Sequence, residues 1–128
     1  MPYKLVWATD PTMHCHFFGK VGFGDLTHAT NDFYNDIRVD RTRFAVWDFS
    51  EMDEFVVGKH EASEIAATDF AASAYLKPLK SAFVTNNPAF AELVRHYITE
   101  MDAMGTQWTN RLFADRAEAM RWMASESK

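Results

Sequence analysis

The spacing of apolar positions changes repeatedly along this chain, and each change marks an element. Tyr3 to Ala8 alternates and is rich in strand formers. Met13 to Phe18 repeats the pattern beyond an Asp10-Pro11 turn, which predicts two antiparallel strands. Gly19 to Gly24 breaks the second. From Asp25 the spacing is helical, with Leu26, Thr30, Phe33, Tyr34 and Ile37 on one stripe and Asp25 placed to suit the helix dipole. The polar stretch Arg38 to Thr42 leads into Phe44-Ala45-Val46-Trp47, which is apolar on both faces. That is the pattern of a central strand covered by helices on both sides, and it runs into Asp48, Phe49 and Ser50 at its carboxyl end. In open α/β sheets that end is where ligands usually bind.

Glu51 to His60 reads as a loop. A helix follows from Glu61 to Leu76, closed by Lys77-Pro78, and its alanines (Ala62, Ala66, Ala67, Ala71, Ala72, Ala74) allow a close approach to the sheet. Leu79 to Thr85 predicts the next strand. Asn87 then caps a helix with Pro88 at its first position, and Phe90, Leu93, Val94, Tyr97, Ile98 and Met101 form its apolar stripe. Gly105 closes that helix. Gln107 to Phe113 has the mixed polarity of an edge strand. Asp115 and Glu118 make a capping pair before a last helix docked by Ala119, Trp122 and Met123.

The order is β-β-α-β-α-β-α-β-α. It predicts an α/β fold with a mixed, mostly parallel sheet of about five strands and four helices, joined by right-handed crossovers. The 128 residues suit a single domain spanning 1–128 and can bury a core without disulfide or metal.

Composition narrows the partners. Hydrophobic residues make up 48% of the chain, which argues against disorder. The eleven Phe, four Trp and four Tyr suit a core of large side chains, an aromatic pocket or a subunit interface. A net charge of −5 without a basic block disfavours nucleic acid and anionic membrane as partners. Cys15 is the single cysteine, so no intramolecular disulfide forms and a reducing compartment is expected. No run is long enough for a signal peptide or a transmembrane segment, so a soluble cytoplasmic protein is expected.

Four segments carry a resemblance over nearly the whole chain: MPYKLVW, DFYNDIRVDRTRFAVWDFSEMDEF, TNNPAF and RLFADRAEAMRWM. Together with the element order they resemble STAS domains of the anti-sigma-factor-antagonist type. The local pieces look like the SpoIIAA-like branch, which is related by fold to lipid-binding CRAL-TRIO domains. The resemblance implies this fold and a binding or regulatory style of function. STAS switches carry a phosphorylatable Ser or Thr at the start of the helix after the central strand, in an Asp-Ser-Ser-Gly-like motif. Asp48-Phe49-Ser50 resembles the Asp-Leu-Ser before that motif. The following Glu54 to Lys59 contains no Ser or Thr, so the phospho-switch is not carried over, and Ser63, one turn into the helix, is a poor substitute.

Several groups invite chemistry. His14 and His16 share a strand face and can approach one metal ion, but a tetrahedral site needs a further ligand and none stands at motif spacing. The plainer alternative is two polar residues on an exposed face, with Cys15 packed inward as an inert thiol. Gly19, Gly22 and Gly24 give G-x-x-G-x-G, which is neither a dinucleotide nor a Walker sequence and reads as a turn. Asp48, Glu51, Asp53 and Glu54 crowd the end of the central strand. They suit a hard cation, or a general base if Asp48 is desolvated; alternatively Asp48 braces the turn and the others are solvated. Phe55, Val56 and Val57, with Phe70, Tyr75, Trp7 and Phe17, are placed to line an apolar pocket.

The sequence thus points to a STAS-like binding or regulatory module without cofactor or catalytic residues. Its ligand is a partner protein or a small apolar molecule, met near the Asp48 to Gly58 segment and the second helix. The residues expected there are Asp48, Ser50, Glu54, Phe55, Val56, Val57, Phe70 and Tyr75. Two alternatives stand beside it: a small metal-dependent or carboxylate-based enzyme using Asp48 with His14 and His16, and a homodimer whose aromatic surface is its interface.

Overall fold

The computed structural model describes residues 2–9 and 11–127. Strands β1 (Tyr3–Thr9) and β2 (Thr12–Gly22) lead into helix α1 (Phe23–Tyr34) and a 3₁₀ turn (Ile37–Arg41). Then follow β3 (Phe44–Val56), α2 (Lys59–Ala72), β4 (Lys80–Val84), α3 (Pro88–Met104), β5 (Thr109–Phe113) and α4 (Arg116–Glu126). The fold is the mixed α/β arrangement expected, five strands with four α-helices among the described residues. The strands lie in the order β1-β2-β3-β4-β5, with β1 antiparallel to β2 and every later pair parallel. Of the expected Asp10-Pro11 turn, Asp10 lies outside the described residues. No helix among them is long and apolar enough to cross a membrane.

This strand order dictates where the helices go. From β2 to β5 each crossover steps the same way along the sheet. Right-handed crossovers that all step one way put their helices on one face. Accordingly α1, α2 and α3 cover a single large core that includes Met13, Cys15, Phe17, Phe33, Ala45 and Phe49. With no strand after it, α4 is free to cover the other face, where a smaller core joins Phe44, Val46, Ala82, Val84, Phe113, Ala119 and Met123. Alternate residues of β3 feed the two cores, which accounts for the unbroken apolar run at 44–47.

Four boundaries differ from the sequence pattern. The expected loop at 51–60 is strand as far as Val56, because β2 also runs on to Gly22 and supplies its backbone partners, Phe18↔Glu51 to Gly22↔Val56. Glu51, Asp53 and Glu54 therefore lie exposed along a strand and form no acidic mouth, and Asp48 stands inside β3. The glycines at 19 and 22 belong to β2: Gly19 has φ 67 at a register shift, and Gly22 caps α1 by donating its amide to Asp25 Oδ2 at 2.8 Å. Helix α1 ends at Tyr34, and Asp36 starts the 3₁₀ turn by accepting from the Arg38 amide, so Ile37 leaves the stripe and is 89% exposed. Helix α2 begins at Lys59 and stops at Ala72, four residues short of Leu76. Ser73 caps its end, with its hydroxyl donating to the Phe70 carbonyl.

Candidate functional site

The helix-covered core is not filled. A pocket of about 80 Å³ lies between the sheet and α1, α2 and α3. Its floor is Phe17, Trp47, Phe49 and Phe83 of the strands, and its walls are Leu26 and Thr30 of α1 and Phe90, Leu93, Val94 and Tyr97 of α3. Val57, which follows β3, and Ala62, Ile65 and Asp69 of α2 complete it. The cause is legible in composition: where α2 faces the sheet it offers the small side chains Ala62 and Ala66, while the aromatics opposite hold the layers apart. Phe17 stacks on Phe49 with centroids 4.4 Å apart, and Phe49 meets Phe90 at 4.6 Å.

One wall is charged. The Asp69 side chain accepts hydrogen bonds from Tyr34 Oη at 2.6 Å and Tyr97 Oη at 2.7 Å, so α1, α2 and α3 are tied together at one carboxylate. Burial pushes the Asp69 carboxyl up to about 6, against the downward pull of both hydroxyls. Burial likewise raises both tyrosines, assisted by the nearby carboxylate. On its far side Asp69 borders a second space of about 220 Å³ between α1 and α2, lined by Phe23, Thr27, Thr30, Asn31, Glu64, Ile65 and Thr68. The apolar pocket and this polar groove meet at Thr30, Ile65 and Asp69.

A different polar group sits on the opposite sheet face, where Arg116 of α4 reaches the buried His14 of β2 and Asp48 of β3. Arg116, in the first turn of α4, donates to Asp48 Oδ2 at 3.2 Å and to His14 Nδ1 at 3.1 Å. Ser50 donates both its hydroxyl, at 2.6 Å, and its amide, at 3.0 Å, to Asp48 Oδ1. His16 Nδ1 lies 3.7 Å from Asp48. Burial favours a neutral Asp48, but Ser50 and Arg116 outweigh it and hold the carboxyl below its ordinary value. This is opposite to the raised pKa that a general base requires. Burial, Arg116 and His16 all lower His14, so it is a neutral imidazole whose Nδ1 accepts from the guanidinium. Among the described residues no three His, Cys, Asp or Glu side chains are grouped to hold a metal ion.

The residues singled out from sequence are thus divided. Asp48 and Ser50 join His14 and His16 on the α4 face. Val57 lines the pocket, and Phe55 backs its wall through Phe90, with ring centroids 5.1 Å apart. Phe70 is half-buried against the same core. Glu54, Val56 and Tyr75 are exposed, Tyr75 by 90%, because α2 ends before it. The Asp69 group was missed, although an acid at a buried position of the α2 stripe Ala62, Ala66, Asp69 is a visible signal. Arg116 gave none, being 68 residues from Asp48 and 102 from His14. Ser63, His96 and Glu100 also converge between α2 and α3, with Ser63 Oγ 2.7 Å from His96 Nε2 and donating to Glu100 at 2.8 Å. The same His96 nitrogen lies 3.3 Å from Glu100, so the acid does not orient the ring from its other side as a catalytic triad requires.

The fold has known counterparts. The anti-sigma factor antagonist SpoIIAA in its unphosphorylated form matches with a TM-score of 0.59 at 13% identity, over 95% of this chain and 97% of its own. The Bacillus cell fate determinant SpoIIAA in its phosphorylated form matches with a TM-score of 0.58 at 13% identity, over 94% and 98%. An uncharacterized protein of the DUF3478 family from Shewanella loihica PV-4, with a SpoIIAA-like fold, matches with a TM-score of 0.53 at 15% identity, over 94% and 90%. No family model matches the chain, and no curated protein does. At these identities the likeness is one of fold, and the chain has the STAS/SpoIIAA-like fold.

Proposed function

We propose that this SpoIIAA-like domain is a non-enzymatic binding module whose ligand is a small apolar molecule held between the sheet and helices α1, α2 and α3. One observation carries the reading: the pocket is lined almost wholly by aromatic and aliphatic side chains, on a helix that keeps alanine where a larger residue would close the space. Apolar lining with a few polar groups is the usual make-up of small-molecule sites. The pocket adjoins Val57 and the first turn of α2, so occupancy would bear on the segment from 57 to 62. That gives a binding event a route to the surface that a partner protein can read. The segment before α2 carries no hydroxyl between Ser50 and Ser63, so the signal would be occupancy in place of phosphorylation. The enzyme alternative is less well supported, since Arg116 occupies both His14 Nδ1 and Asp48 Oδ2, and Ser50 with Arg116 holds the Asp48 carboxyl below its ordinary value, which makes it a weak base.

Titration with 1-butanol, a chain short enough for a space of about 80 Å³, followed by amide and methyl NMR shifts, tests the reading. Saturable shifts centred on Trp47, Ile65 and Leu93 are expected. Saturable shifts confined to other surfaces, or none, would place the function elsewhere.

A further inference from the structure

The pocket and the groove differ in character, and their junction bears on the ligand's chemistry. The pocket is apolar apart from Thr30, Asp69 and Tyr97. The groove presents Thr27, Thr30, Asn31 and Thr68 together with two carboxylates, Glu64 and Asp69, and neither space is lined by lysine or arginine. Asp69 is the deeper acid and belongs to both. Hydrogen bonds from neutral hydroxyls reach it, one to each oxygen, and among the described residues no cation stands beside the charge. Each carboxylate oxygen retains a further acceptor site. Glu64 is half exposed and pairs with the exposed His60, at 3.2 Å.

We infer that the apolar ligand carries a cationic, hydrogen-bond-donating head, an amine in place of a carboxylate or phosphate, that seats against Asp69 where pocket and groove meet. This rests on the pocket being the binding site, and it adds the class of ligand. An ammonium in that position finds a desolvated carboxylate, the Thr30 hydroxyl and the half-exposed Glu64. Charge-assisted hydrogen bonds of this kind are stronger than neutral ones. A carboxylate or phosphate head would meet two like charges and no cation. The raised pKa of Asp69 agrees, since a buried carboxylate lacking a countercharge is one that a bound cation would stabilise.

The experiment compares three probes of equal chain length, n-butylammonium, 1-butanol and n-butanoate, by NMR titration of the full chain at pH 7. The ammonium is expected to bind about tenfold or more tightly than butanol, the gain of one charge-assisted contact, with butanoate weakest. Asp69→Asn should bring the ammonium-to-butanol affinity ratio down to about one, the ratio being read independently of any change in the affinity of either. Equal affinities for ammonium and butanol, or butanoate binding most tightly, would overturn the inference while leaving the pocket reading intact. If none of the three binds, the pocket reading falls with it. The three-probe comparison on the unaltered chain decides the matter even if the variant folds poorly.

Discussion

Asp69 makes a sharp prediction about stability against pH. Its carboxyl lies at about 6 in the folded chain against an ordinary 3.8. The folded state therefore binds this proton more tightly than the unfolded chain does. For an acid raised by folding, the stabilising contribution is complete below the ordinary value and is lost as pH rises through the folded one. Between about pH 4 and pH 6 the chain should lose on the order of 3 kcal/mol through this group, at about 1.4 kcal/mol per pH unit. Asp36 and Asp48 act the other way. Both are held below their ordinary value in the folded chain, so their contributions are present above that value and fade as pH falls. The assay must therefore isolate Asp69. Urea unfolding of the wild-type chain and of Asp69→Asn, each at pH 4.5 and pH 7, gives four free energies. Asparagine keeps the shape and one acceptor, and any pH-independent effect of the substitution cancels in the double difference. From pH 4.5 to pH 7 the wild-type chain should lose on the order of 2 kcal/mol relative to the variant. A double difference near zero would show that Asp69 titrates normally. A gain in the wild-type chain would show that it is held ionised by a partner, and the burial reasoning would fail.

Other substitutions probe separate links. Arg116→Met leaves the buried Asp48 with Ser50 and the more distant His16 and should cost roughly 2–3 kcal/mol in urea unfolding, most of it recovered by adding Asp48→Asn. Strict additivity of the two changes would deny their coupling. Ala62→Leu extends α2 into the pocket and should abolish butanol binding without loss of stability; butanol bound with unchanged affinity would mislocate the site. Gly105 closes α3 at φ 86 with no other atom crowding its Cβ direction, so Gly105→Ala should cost about 1 kcal/mol through backbone strain alone. A change below a few tenths, read from urea midpoints, would show the turn to be less constrained than its dihedral implies.

What could be read from sequence was what depends on near neighbours. Asn87 accepts from the Phe90 amide with Pro88 behind it, Asp115 accepts from the Glu118 amide, and Gly105 ends α3, each as the residues themselves demand. The double-faced strand at 44–47 was legible because burial on both sides leaves an unbroken apolar run. The extension of β3 to Val56 was not, since Glu51, Asp53 and Glu54 favour a loop until β2 offers them backbone partners. The placement of Tyr75 in the pocket depended on where α2 stops, and the Ser73 hydroxyl decides that end. Of the site, the apolar character near Val57 and the second helix was visible. Asp69 was visible as an acid in a buried stripe, but Tyr34 and Tyr97 come to it from 35 and 28 residues away, beyond the reach of a pattern. Arg116 likewise meets Asp48 only because α4 crosses behind the sheet.

A binding module of this kind requires that the pocket have an occupant. Native mass spectrometry of the protein as isolated from cells, followed by the same sample denatured, tests that most directly. We predict a mass excess from a small organic molecule that disappears on denaturation and is missing from Ala62→Leu. A chain that flies at its bare mass in both forms, or an excess that survives Ala62→Leu unchanged, would contradict it.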